Sequence, residues 1–295
     1  MLATDVLWQV HSSQCYKLEK QHVYPQIDFF GFKIASYGLF AVIGCLVCGF
    51  VLCYLLKKRG IMMEDGVIFL MTVIAGVFIG GHLLFALTNI RLFPYLFKKA
   101  EFPLWLARVQ YIFGGSVFYG GLFGGLAAGA IALKCMSHDR RIYADIMAPI
   151  IPLFHGIARI GCFLAGCCYG IESEFGFRAH GNTLVPEVND VRRFPVQLLE
   201  AGCNLFLVLA MFLLLKASRK KPFLQGKLIY FYLITYGIIR FLDEFLRGDE
   251  VRGFIGIFST SQWISIISVG ISSLLLVSSI IKEKRLPISV SCKTV

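Results

Sequence analysis

Seven stretches of this chain are each long enough to span a bilayer and poor in charge: 34–56, 66–88, 111–134, 146–170, 196–215, 228–247 and 261–281. A hydrocarbon core of about 30 Å takes roughly 20 mostly apolar residues of helix. In lipid every backbone group must find its partner inside the segment, so each stretch reads as a transmembrane helix. Composition agrees, since 57% of the 295 residues are hydrophobic and only 16% are charged, far from the soluble average. The expected fold is all-α, a polytopic membrane protein with about seven transmembrane helices.

A net charge of +11 suggests nucleic acid at first sight. The cations, however, sit in short segments at alternate helix ends. Lys57, Lys58 and Arg59 follow the first helix, and Lys134, Arg140 and Arg141 the third; Lys216, Arg219, Lys220, Lys221 and Lys227 follow the fifth, and Lys282, Lys284, Arg285 and Lys293 the seventh. By the positive-inside rule this pattern places the N-terminus outside and the C-terminus in the cytoplasm, and it points to no nucleic-acid partner. Residues 1–33 form an external segment, 34–281 one seven-helix membrane domain and 282–295 a cytoplasmic tail. The opening "MLATDVLWQVHSSQCYKLEK" lacks the features of a cleaved secretory signal, so the first helix is expected to serve for insertion. Two further external segments are 89–110, whose aromatic and basic residues suit the interface, and the polar, turn-rich 171–195.

Charged side chains at bilayer depth cost about 2.5–3.5 kcal/mol on insertion scales and are usually paired or functional. Arg159 in the fourth helix and Arg240 in the sixth meet that description. Counted from the inner ends at 1.5 Å per residue, both fall about 18–20 Å from the cytoplasmic face. Other polar groups belong to the same level: Tyr37 opens the first helix, Tyr119 lies inside the third, and Gln197 and Glu200 open the fifth. His155 precedes Arg159 by one turn, and Tyr236, Arg240 and Glu244 form a helical stripe with Arg247 close by. Guanidinium suits phosphate because it is permanently charged and donates in parallel pairs. Two such groups opening towards the outer leaflet would take a phospholipid headgroup. The alternative is that each arginine only pairs with a carboxylate and ties helices together.

Cysteine and glycine read mainly as packing. Cys45, Cys48, Cys53 and Cys203 behave as small apolar residues. Cys162, Cys167 and Cys168 cluster in "CFLAGCC", which is not a standard ligand spacing, so no metal or cofactor is expected there. "GVFIGGHLLF" and "FGGSVFYGGLFGGLAAG" carry small residues at spacings that let helices approach closely. The run "FGGSVFYGGL" is dense enough in glycine to loosen a helix.

The order of these motifs resembles the prolipoprotein diacylglyceryl transferase family, bacterial seven-helix membrane enzymes. The resemblance runs from about Tyr37 to Trp263 through "IASYGLF", "GVFIGGHLLF", "GGSVFYGGLFG", "DIMAPIIPLFHGIARIGCFLAGCCYG", "RFPVQLLEA", "YGIIRFLDEFLR" and "SQWISI". It implies transfer of diacylglyceryl from phosphatidylglycerol to the lipobox cysteine thiol of a prolipoprotein signal peptide. The location implied is the bacterial cytoplasmic (inner) membrane, with the active site towards the outer leaflet. Arg159 and Arg240 would then hold phosphate and stabilise the leaving group, while Tyr37, Gln197, Glu200, Tyr236, Glu244 and Arg247 shape the cavity.

This chain departs from the family pattern in several places. Tyr119 stands where the family has a histidine, and Ala158, Cys162, Ala165 and Cys167 fill the Gly, Asn, Asn and Glu positions of its GRxGNFxNxE signature. His82 replaces an arginine, and Phe194 a histidine. His155 or Tyr119 is therefore expected to assist deprotonation of the substrate thiol, unless His155 is a satisfied core histidine. Competing readings are a divergent paralogue with another lipid or acceptor, a lipid-binding or transport protein, and a metal or redox site at the cysteines.

Overall fold

A computed structural model describes residues 24–29, 32–99, 101–115, 118–183, 185–249 and 253–285. Among them are eight α-helices: α1 (Ser36–Lys57), α2 (Met63–Thr88), α3 (Phe102–Phe113), α4 (Phe118–Cys135), α5 (Arg140–Ala165), α6 (Val196–Ser218), α7 (Leu228–Asp243) and α8 (Thr260–Arg285). Five of these, α1, α2, α5, α6 and α8, are long and apolar enough to cross a membrane. The third and sixth expected spans are represented by shorter helices, α4 and the 16-residue α7. Large apolar side chains such as Phe50, Phe78, Leu126 and Leu274 stand exposed on these helices, as hydrocarbon-facing residues do.

The ends of three helices differ from the sequence reading. Residues 111–113 belong to α3 and not to the third span, and bends at Gly114 and Gly115 follow them. The fourth span is shifted: α5 begins at Arg140 and stops at Ala165. Gly166 (φ 73°) takes the left-handed conformation there, with Gly166 N–H donating to Phe163 O (3.1 Å) and Cys167 N–H to Cys162 O (3.2 Å). That pair of bonds is the Schellman termination, so Cys167 and Cys168 lie past the helix. The sixth span ends at Asp243, and Glu244–Leu246 tighten into a 3-10 turn.

The fold is also not purely helical. Among the described residues are three two-stranded antiparallel sheets: β1 (Gln26–Phe29) with β2 (Phe32–Ala35), β3 (Glu172–Arg178) with β4 (Arg192–Arg193), and β5 (Phe254–Ile255) with β6 (Phe258–Ser259). The expected external segment 171–195 therefore has ordered structure. Within it, buried Asn182 donates to the Ala165 carbonyl (3.0 Å), satisfying an orphan acceptor at the end of α5. The segment 89–110 forms a 3-10 helix, Ile90–Phe97, and most of α3. The first 23 residues and residues 286–295 lie outside the described residues.

The chain falls into two compact units, one running to Cys48 and resuming at Ala144, the other covering Gly49–Tyr143. In the second unit, α2 and α4 pack through glycine. A Cβ on Gly124 would stand 2.9 Å from the Gly80 Cα and closer still to the Gly76 carbonyl. The expected close approach of small residues is met here. Gly124→Leu is expected to force the helices apart at a cost of about 1–3 kcal/mol or more. Thermal unfolding in micelles should show the loss, whereas Gly270→Leu, with nothing within 4 Å of its added Cβ, should leave the midpoint unchanged.

In the first unit, α5 packs on α1 and α6. The Cβ direction of Gly161 meets Phe40 and the backbone of Tyr37, and Gly156 faces Leu205. Asp145 near the start of α5 is buried and accepts from the backbone N–H of Gly226 (2.7 Å) and Leu228 (3.0 Å). It thereby holds the first turn of α7, whose leading N–H groups have no helical partners.

Candidate active site

Helix α6 starts directly after Pro195, which cannot extend the preceding strand pairing and leaves Val196 as the first helical residue. Gln197, Glu200 and Asn204 follow at three- and four-residue steps, so they share one face. All three are buried, and the same face continues as Leu207, Met211 and Leu215. The polar end of this stripe is where the charged residues of α5 and α7 converge.

Arg159 of α5 pairs through Nε with Glu200 Oε2, and Arg240 of α7 approaches Glu200 Oε1 from Nη1 at 3.3 Å. One carboxylate thus bridges both guanidinium groups. Arg240 Nη2 also forms an ion pair with Glu244 Oε2 (2.6 Å) and donates to Ser261 Oγ (3.2 Å) at the start of α8. Four helices and the turn after α7 meet in this knot. Because α5 begins at Arg140, six residues before the expected start, Arg159 lies further from the inner end of its helix than the sequence count gives. The two groups nevertheless share one carboxylate partner, which brings them together directly.

The members of the knot differ in accessibility. Side-chain exposure is 21% for Arg159, 11% for Arg240, 5% for Glu200 and 2% for Glu244. Arg159 is therefore the more accessible of the two guanidinium groups. It spends Nε on Glu200, and Nη1 lies 3.9 Å from Cys162 Sγ. A guanidinium has five N–H donors, so Arg159 retains capacity at Nη2 among the described interactions.

His155 sits beside this knot. Its ring centroid is 5.3 Å from that of Tyr236, which stacks in turn on Tyr232 at 5.6 Å. His155 Nδ1 is buried and has no hydrogen-bond partner among the described residues. A buried ring nitrogen without a partner costs about 1–3 kcal/mol, so Nδ1 is a polar atom left unsatisfied by the described residues around it.

The remaining predicted residues are placed less centrally. Gln197 donates to the Cys167 carbonyl (2.9 Å) and fixes the turn after α5. Tyr37 is about half exposed at the start of α1, with its hydroxyl in the electrostatic neighbourhood of Arg159 and the three cysteines. Arg247 leaves the α7 stripe altogether: it makes a two-pronged pair with Asp249, 2.9 and 2.6 Å, and bridges to Gly170. Tyr119 lies in the first turn of α4, and its side chain falls outside the described residues. His82 donates from Nδ1 to the Phe113 carbonyl (2.7 Å).

Ser261, Asn182 and Asp249 were not among the predicted residues. Ser261 lies in "SQWISI", where nothing local marks it as a partner of Arg240. A cavity of about 340 Å³ opens beside the turn, lined by Phe163, Tyr169, Phe177, Arg193 and Gln197 among others. Arg193 lies over the Tyr169 ring at 4.3 Å and donates to the Gly170 carbonyl.

The prolipoprotein diacylglyceryl transferase family model matches residues 25–278, nearly the whole chain. The chain belongs to that family. Its membership makes it a transferase and a membrane protein of multi-pass architecture. A phosphatidylglycerol–prolipoprotein diacylglyceryl transferase of Clostridium tetani is 32% identical over 246 residues, covering 82% of this chain and 92% of the relative. A second, from Clostridium perfringens, is 36% identical over 249 residues, with 81% and 88% coverage. A third, from Geobacter sulfurreducens, is 30% identical over 269 residues, with 86% and 97% coverage. In this member of the diacylglyceryl transferase family, Cys162 lies on α5 against Arg159, and Cys167 on the turn beyond the helix-ending Gly166.

Proposed function

We propose that this chain transfers the diacylglyceryl group of phosphatidylglycerol to the lipobox cysteine thiol of a prolipoprotein. Membership of the family over residues 25–278 carries the reading. In the reaction the substrate sulfur attacks the glyceryl carbon that bears the phosphate. A carbon–sulfur bond forms, the carbon–oxygen bond breaks with its electron pair going to oxygen, and glycerol phosphate leaves. The thiol must give up its proton, because the thiolate is the nucleophile.

Arg159 and Arg240 supply the charge that stabilises the departing phosphate oxygen. Both are already held by Glu200, so the clamp is positioned before lipid enters and the phosphate competes for the more open Arg159. His155 receives the thiol proton at its unpartnered Nδ1, directly or through one water. Tyr37, Gln197, Tyr236, Glu244 and Arg247 position the turn and helices around these three groups. Seven spans, with α4 and α7 as the short third and sixth, an external N-terminus and an inner-membrane site facing the outer leaflet complete the proposal. The basic segments after alternate helices support that orientation. We assign the whole of 34–281 to one catalytic membrane domain.

Complementation of a bacterium depleted of its own diacylglyceryl transferase tests the reading. Mass analysis of a lipoprotein N-terminus should find the thioether-linked diacylglyceryl group in cells carrying this chain. Its absence, with the protein inserted and folded, would favour another acceptor or lipid. In the same assay on purified protein, His155→Ala is expected to lower the rate by about 10²–10⁴. An unchanged rate would remove His155 from the chemistry.

A further inference from the structure

The three cysteines past the middle of α5 are brought together by the helix ending that the spacing alone conceals. Gly166 and Cys168 both take positive φ, 73° and 54°, so the chain turns back on the last turn of the helix. Cys162, Cys167 and Cys168 then place their Sγ atoms within 4.8 Å of one another. All three are free thiols, Cys162 buried and the others half-buried. Sulfurs around one ion at about 2.3 Å lie about 3.8–4.0 Å apart, so small side-chain rotations close the set.

The surrounding turn is fixed from outside. Gln197 holds the Cys167 carbonyl, Gly248 N–H donates to Tyr169 O (2.9 Å) and Ile171 N–H to Leu246 O (3.0 Å). Cationic groups face the sulfurs: Arg159 Nη1 is 3.9 Å from Cys162 Sγ, and both Arg159 and Arg247 lie in the electrostatic neighbourhood of Cys168. A divalent ion held by three thiolates carries a net charge of −1, which such neighbours offset.

We propose that Cys162, Cys167 and Cys168 form a three-thiolate site for a thiophilic d10 cation of the Zn(II) and Cd(II) class. Binding replaces three S–H protons, released to solvent, by three metal–sulfur bonds and leaves a fourth position for water. Soft thiolate donors select such ions over Mg(II) or Ca(II). The site is independent of the transfer reading and stands or falls separately from it.

The test uses the full chain in detergent micelles, kept reduced, with Cd(II) alone as the probe. One equivalent should produce the ultraviolet thiolate-to-cadmium band and protect Cys162, Cys167 and Cys168 together from alkylation, read by peptide mass spectrometry. Cys162→Ser with Cys167→Ser and Cys168→Ser should abolish the band, while Mg(II) should give no protection. The alkylation arm needs no variant, so a misfolded triple substitution leaves the result intact. Protection of only one of the three, or of other cysteines such as Cys45 or Cys135 instead, overturns the proposal.

Discussion

Glu200→Ala is expected to cost about 3–5 kcal/mol of stability, the usual penalty for breaking a buried ion pair from one side. Glu200 is 5% exposed and, among the described residues, is the one carboxylate shared by Arg159 and Arg240. Without it, two largely buried guanidinium groups face each other, and Arg240 keeps Glu244 while Arg159 keeps no carboxylate among the described residues. Repulsion then adds to the desolvation each cation has already suffered. Glu200→Gln retains an oxygen that accepts from one arginine and should lose less. Thermal unfolding in micelles, with intact α-helical circular dichroism as the starting state, checks both. An alanine variant that melts with the parent would show that the knot is not held through this residue.

Much of this arrangement is legible in the chain, for identifiable reasons. Arg240 and Glu244 stand one turn apart, and that spacing alone predicts their contact. The close approach of α2 and α4 is written in the glycines of 76, 80, 120 and 124. Pairing of Arg159 with Glu200 is different, because the residues lie on separate helices and any of several carboxylates would satisfy the composition. Helix packing selects Glu200, and packing is a property of the whole sequence.

Helix ends show the same division. Cys167 and Cys168 look like continued helix because both are apolar enough for lipid, yet Gly166 can adopt the left-handed conformation that ends it. The signal lies in one glycine, set among residues whose hydrophobicity suits a continued span. The short strands at 172–178 and 192–193 offered less, since the segment is polar and its pairing has an irregular register. Asn182 bonds to Ala165 across that segment, a contact that no spacing announces.

Arg159→Lys is expected to lower diacylglyceryl transfer by about 10²–10³-fold while leaving stability nearly intact. The reasoning separates charge from shape. Lysine keeps a cation opposite Glu200, so the balance that holds α5 to α6 survives, unlike in Glu200→Ala. It loses the planar fork, whose Nε is given to Glu200 and Nη1 directed at Cys162 while Nη2 remains for a second anion. A single ammonium must choose between carboxylate and phosphate, and the buried carboxylate is the fixed partner. Arg240→Lys should resemble it in activity but lose more stability, because Arg240 serves Glu200, Glu244 and Ser261 at once. Rate measurements on purified variants beside their melting curves distinguish the two. Should Arg159→Lys transfer at the parent rate, point charge alone suffices at this position, and the forked contact with phosphate falls to Arg240.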